Sequence, residues 1–221
     1  MALDPAASVL QPLELASYGP VIPVIVIERV EHAVPMAWAL LAGGVRVLEV
    51  TLRTSVALAA IEAIARAVPE AIVGAGTLRN AADARAAHAA GARFAVSPGY
   101  SAAVAAACRE LGLPLLPGVA TASEVMQAAD DGFRFLKFFP ASAAGGVPLL
   151  KAWASPFADI AFCPTGGIAI DTASAWLALP NVKVVGGSWL TPADALLAED
   201  WPRIARLASE ASALSRQALS S

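Results

Sequence analysis

AIVGAGTLRNAADARAAHAAGARFAVSPG, residues 71–99, contains one complete repeat of the pattern on which the chain is built. AIVGAG (71–76) is a short apolar run without polar alternation, the form taken by a parallel strand buried on both faces. AADARAAHAAGA (81–92) is alanine-rich and suits a helix, and Gly91 stands where a helix C-cap would fall. RFAVSPG (93–99) is the next apolar run. Strand, helix and strand in succession make a βαβ unit.

The same beat runs outward in both directions. Further apolar runs are VIPVIVI (21–27), VRVLEV (45–50), LPLLPGV (113–119), FRFLKFF (133–139), IAFCPTGG (160–167) and VKVVGG (182–187), which brings the runs to eight. Helical stretches such as SVALAAIEAIARAV (55–68) and SAAVAAACRELG (101–112) separate them, with Gly112 and Gly132 again at helix ends. The interval from Thr77 to Pro98 is 21 residues, from Pro98 to Gly118 20, and from Gly118 to Lys137 19. Eight strands alternating with helices predict an α/β fold of the (β/α)8, TIM-barrel type. The competing open, doubly wound sheet needs fewer sequential units, and no GxGxxG follows the first run. Residues 6–18 read as an extra N-terminal helix, about 20–208 as the barrel, and the tail as a last helix, in a single domain spanning 1–221.

Composition narrows the function. Hydrophobic residues make up 57 % and charged residues 15 %, enough apolar material for a large core. A net charge of −3, without a basic run, argues against nucleic acid as a partner. Cys108 and Cys163 stand far apart, and neither they nor His32 and His88 have metal-ligand spacing, so no metal site is expected. Both histidines read as surface or satisfied residues. No apolar run is long enough for a membrane span, and MALDPAASVL lacks the features of a signal peptide. The expectation is a cytoplasmic protein.

In a barrel of this type the chemistry gathers at the C-terminal ends of the strands. Lys137 stands there, and of the three lysines it alone lies at the active end of an apolar run, whereas Lys151 lies in a helical stretch and Lys183 near the start of the eighth run, both ordinary surface positions. Desolvation disfavours an ammonium, and a neutral amine can attack a ketone to form a Schiff base. The plainer alternative is a core lysine paired with a carboxylate such as Glu49. Glu49 is the only acid in its run and shares parity with Val47 and Thr51, so it can face the barrel interior as a general base. It can equally serve as an ion-pair partner for Lys137 or Arg53. Arg53 and Thr77 suit a substrate carboxylate, the first as a guanidinium fork and the second as a hydroxyl; Thr77 can instead cap the following helix. Pro98, closing the fourth strand, and Thr165, following the seventh, join them on the substrate side. Gly166 and Gly167 after the seventh run, with Gly187 and Ser188 after the eighth, bring backbone N–H groups to adjacent loops where a phosphate can bind.

These residues carry a resemblance. VIPVIVIE, GGVRVLEVTLRT, VGAGT, SPG, KFFPA, FCPTGG and GGSWL occur in order from about residue 17 to 208 and resemble the 2-dehydro-3-deoxy-6-phosphogluconate (KDPG) aldolases. They are most similar to the bifunctional branch that also cleaves 4-hydroxy-2-oxoglutarate (KHG). The resemblance implies a class I aldolase on a (β/α)8 barrel, metal-free, without a cofactor, and homotrimeric. It implies Lys137 as the Schiff-base former and Glu49 as the general acid/base. Arg53 and Thr77 would hold the pyruvate carboxylate, and Gly166, Gly167, Gly187 and Ser188 would surround a phosphate. Some relatives have an arginine late in the first strand, where Val26 and Ile27 stand here; a small polar residue common in the fifth is Ala120 here. Other readings are an aldolase for a stereoisomeric sugar acid, an oxaloacetate decarboxylase using the same imine, and a non-catalytic phosphate-binding barrel with no need of Lys137 and Glu49.

Overall fold

The computed structural model describes residues 11–214. A 3₁₀ helix, Pro12–Tyr18, precedes the first strand. The strands are β1 (Val21–Ile25), β2 (Val47–Thr51), β3 (Ile72–Gly76), β4 (Ala95–Val96), β5 (Leu115–Leu116), β6 (Gly118–Val119), β7 (Phe135–Phe138), β8 (Ala161–Pro164) and β9 (Val185–Gly187). The helices are α1 (Ala33–Ala42), α2 (Ala57–Ala67), α3 (Ala81–Ala89), α4 (Ala102–Glu110), α5 (Ala122–Asp130), α6 (Gly146–Trp153), α7 (Ile170–Leu177), α8 (Ala193–Leu197) and α9 (Trp201–Ser212). Their starts follow local chemistry. Asn80, Ser101, Thr121 and Asp200 each accept a hydrogen bond from a backbone N–H in the first turn, and Glu124 reaches back to the N–H of Thr121. Gly91, Gly112 and Gly132 follow the ends of α3, α4 and α5 with positive φ, as expected of helix-terminating glycines.

Every paired strand is parallel, which makes this an α/β fold. One sheet runs β5-β4-β3-β2-β1-β9 and a second runs β6-β7-β8. Two isolated parallel bridges, Phe162 with Val182 and Thr165 with Gly186, connect the β8 and β9 segments. The fifth apolar run was expected to be one strand, and it is two. Pro117 divides it, because proline has no N–H to donate to the ladder. Its carbonyl still accepts from Lys137 N at 2.9 Å.

The expected N-terminal helix is present within the described residues only as the 3₁₀ helix; residues 6–10 of that expectation lie outside them. The tail beyond Leu214 also lies outside, and α9 supplies the last helix. No helix among the described residues is long and apolar enough to cross a membrane.

Apolar residues form two layers. An inner cluster contains Ile22, Val47, Ile72, Phe94, Leu116, Phe135, Cys163 and Val184, with Leu15 and Ala16 of the 3₁₀ helix packed on it. An outer, larger cluster lies between strands and helices. The alternation in FRFLKFF follows from this division. Phe135 belongs to the inner layer, while Leu136 and Phe138 belong to the outer, where Phe138 packs edge-on against Trp153 at 5.5 Å between centroids. Lys137 shares the parity of Phe135, so its side chain rises from the inner layer.

Candidate active site

Register sets the level at which polar side chains emerge above the inner cluster. Glu49 pairs with Val24 on one side and Gly74 on the other, and Lys137 pairs with Gly118 and Cys163. From these two strands, 88 residues apart in sequence, Lys137 Nζ and Glu49 Oε1 meet at 3.1 Å. Both are buried, at 4 % and 3 % exposure. The phenylalanines around Lys137 are therefore only part of its environment: the carboxylate of Glu49 compensates the ammonium, as a buried charge requires. Phe139 lies with its ring centroid 5.3 Å from Nζ.

Glu49 has room because of Gly76. A Cβ at Gly76 would press on Glu49 Oε1, and on Cγ at 2.7 Å. Gly186 plays the same part for Thr165, whose Oγ1 a Cβ there would strike. The sequence marked Gly186 only as part of the glycine pair after the eighth run, and assigned Gly76 no part in the site. The available signal was the parity of Gly74 and Gly76 in VGAGT, which leaves one face of that strand bare.

Arg53 follows β2 and is exposed. Its Nε donates to Thr77 Oγ1 at 3.2 Å, and among the described residues it makes no ion pair, so the rest of its fork is available. Thr77 has a φ of 67°, uncommon for a β-branched residue and a strain that sites of function often hold. Capping of the following helix falls to Asn80, whose side chain accepts from Asp83 N, and not to Thr77.

A cavity of about 100 Å³ collects most of the remaining residues singled out in the sequence. Arg53, Thr165, Gly166, Gly167, Gly187 and Ser188 line it, together with Val24 and Phe139. Gly166 and Gly167 have φ values of 100° and 73°, a turn that only glycine adopts without strain. Ser142 ties this turn down through Oγ, which donates to Gly167 O at 2.9 Å. The N–H groups of Gly167 and Ser188 have no hydrogen-bond partner within the described residues. Pro98 is not in this lining. It is half-buried beside β6, where a Cβ at Gly118 would strike its carbonyl, one strand away from Lys137. Thr77 is outside the lining as well and reaches the site through Arg53.

Beneath the cavity, Thr165 Oγ1 lies 3.8 Å from Cys163 Sγ. Burial pushes the Cys163 thiol up to about 12, outweighing the opposite pull of Lys137. That thiol stays protonated and serves as packing, not as a nucleophile. His88 is exposed on α3, whereas His32 is buried, 3.4 Å from Glu199 through Nε2 and edge-on to Trp201.

The family model for KDPG and KHG aldolases matches residues 14–207. The chain belongs to the KDPG and KHG aldolase family. It is 54 % identical over 198 residues to the 2-dehydro-3-deoxy-phosphogluconate aldolase of Pseudoalteromonas atlantica, covering 90 % of this chain and 92 % of that one. It is 56 % identical over 193 residues to the KHG/KDPG aldolase of Escherichia coli K12, covering 87 % of this chain and 91 % of that one. Among solved structures, the KDPG aldolase of Legionella pneumophila, with pyruvate captured at low pH as a covalent carbinolamine intermediate, superposes with a TM-score of 0.90. That pair is 46 % identical, with 92 % of this chain and 99 % of the Legionella chain covered. As a member of this family the chain is a lyase.

Proposed function

We propose that this chain is a Schiff-base aldolase that cleaves KDPG to pyruvate and glyceraldehyde 3-phosphate, and KHG to pyruvate and glyoxylate, both reversibly. The observation that carries the reading is the buried Lys137–Glu49 pair at 3.1 Å beside the cavity bounded by Arg53, Thr165 and the two glycine loops. Transfer of one proton from Nζ to Oε1 leaves a neutral amine beside a neutral acid, which is the state an attack on a ketone needs. Lys137 adds to C2 of the substrate to give a carbinolamine, which loses water to give a protonated Schiff base. Glu49, again ionised, takes the proton of the C4 hydroxyl. The C3–C4 bond breaks, its electron pair passes to the iminium, and the aldehyde leaves. Glu49 returns the proton to C3 of the enamine, and water releases pyruvate from Lys137.

Arg53, with Thr77 held against it, orients the carboxylate of the pyruvyl unit; Pro98 after β4 and Thr165 after β8 bound that unit. Gly166, Gly167, Gly187 and Ser188 receive the phosphate of KDPG through backbone N–H groups and one hydroxyl. The free N–H groups of Gly167 and Ser188 support that assignment. No cofactor or metal takes part in this scheme. The pairing of β1 with β9, the bridges between β8 and β9, and the continuity of β5 with β6 through Pro117 support a closed (β/α)8 barrel over about residues 20–208 in one domain. We assign the working form as a cytoplasmic homotrimer on the family relationship.

Borohydride reduction in the presence of pyruvate, followed by peptide mass spectrometry, tests the central step. A reduced pyruvyl adduct is expected on the peptide containing Lys137. Its absence from folded protein at neutral pH would return Lys137 to a structural role and remove the basis of the mechanism.

A further inference from the structure

A second and larger cavity, of about 460 Å³, adjoins the one at the glycine loops. The two share Val24 and Ser188 as walls, and Val24 is the strand neighbour of Glu49. Its volume lies within the range of sites that enclose small ligands. Val26, Ile27, Pro192, Ala193, Leu196 and Leu197 make most of its surface apolar. Among the described residues no lysine or arginine lines it, and Glu28 is the one carboxylate in the lining. Thr191 Oγ1, buried along its wall, has no hydrogen-bond partner among the described residues, and His32 Nε2 is turned to Glu199 at 3.4 Å. A phosphate would find no cation there and one opposing charge. An uncharged chain would find walls that shed water on contact.

We propose that this cavity is a second branch of the aldehyde side of the site, taking the neutral aliphatic tail of a 4-hydroxy-2-oxo acid. The proposal rests on the aldolase reading above and extends its substrate class. At Ser188 the path from C4 divides. An anionic tail turns to the glycine loops, and an apolar tail turns past Val24 into the larger cavity. The chemistry is unchanged: the C3–C4 bond of R–CH(OH)–CH2–CO–COO⁻ breaks, Glu49 takes the hydroxyl proton, and the electrons pass to the iminium. R–CHO leaves, and protonation at C3 followed by hydrolysis yields pyruvate. In reverse, the enamine on Lys137 adds to the carbonyl of R–CHO.

The test is the addition reaction, with pyruvate saturating and propanal, butanal, pentanal and hexanal as acceptors. Each methylene that enters the cavity is expected to raise kcat/KM for the aldehyde about two- to fourfold, chiefly through KM. Ala193→Phe, at an exposed position opening α8, should abolish this rise while leaving glyoxylate addition within about twofold of the parent. Leu197→Glu, at an exposed large apolar residue of the lining, should weaken the rise independently by putting a charge at the wall. A flat response across the four aldehydes, or a rise that survives both substitutions, overturns the proposal. Borohydride trapping of pyruvate on Lys137 in the same samples separates the failures. A normal adduct with a flat response counts against the cavity alone, and a missing adduct counts against the aldolase reading.

Discussion

Gly76→Ala should disable the Lys137–Glu49 pair without altering either residue. A methyl at position 76 would meet Glu49 Cγ at 2.7 Å and Cδ at 2.9 Å, and Oε1 more closely still. Non-bonded carbons rest at about 3.5–4.0 Å, so the carboxylate must withdraw by on the order of 1 Å. Oε1 is the atom that holds Lys137 Nζ at 3.1 Å. The strand cannot readily yield instead, because Gly76 is paired with Thr51 in the ladder and its carbonyl accepts from Leu52 N at 2.8 Å. Misplacement of a reacting group by ~1 Å can cost about 100-fold in rate, and the added methyl should destabilise the fold by about 1–3 kcal/mol. The assay is pyruvate release from KDPG, followed by coupling to lactate dehydrogenase, with urea unfolding on the same samples. Combining Gly76→Ala with Glu49→Ala removes the clashing atoms, so the pair should be strongly coupled, and the double variant should recover stability that the glycine substitution loses. A folded Gly76→Ala protein with parental kcat would refute the claim that this glycine positions the carboxylate.

Three further expectations follow from the same geometry. Glu49→Gln should still form the borohydride-trapped pyruvyl adduct while cleavage falls by roughly 10²- to 10⁴-fold; complete loss of the adduct would place Glu49 earlier in the reaction than argued above. Arg53→Lys loses the planar fork and the contact with Thr77, so KM for pyruvate in the addition reaction should rise by roughly tenfold, and an unchanged KM would remove Arg53 from the carboxylate site. Burial pushes the Cys108 and Cys163 thiols up to about 11 and about 12 from an ordinary value of 9.0, so neither should react with iodoacetamide at pH 8 until urea is added. The unfolded chain releases those protons first, so stability should fall as pH rises above about 9, and alkylation of Cys163 in the native protein would contradict its assignment as packing.

Much of the frame was legible because its signals are local. A buried parallel strand reads as a short apolar run, and a helix reads as an alanine-rich stretch closed by glycine, so the order and spacing of the repeats follow from neighbouring residues. The break at Pro117 was equally local, since proline cannot donate to a ladder, yet the apolar run spans it without a visible change of pattern. Lys137 stood out because a lone cation in an apolar strand demands a partner, and Glu49 because it was the only acid of its run. What the partner was, and at what distance, depended on register. Lys137 and Glu49 come from strands 88 residues apart, and no spacing along the chain encodes the 3.1 Å between them.

The same division separates what the sequence determined by itself from what the tertiary structure decided. Residue type and short-range periodicity determined the α/β class of fold and marked the candidate residues that the proposed chemistry uses. The tertiary structure decided the pairing of Lys137 with Glu49, the clearance that Gly76 and Gly186 leave for their neighbours, and the strained turn that sets Thr77 against Arg53. It alone also brought Val26 and Ile27 together with α8 around an apolar cavity beside the site. Each of these depends on side chains meeting across strands, and such meetings are fixed by parallel register and by the closeness of packing, which no local pattern carries.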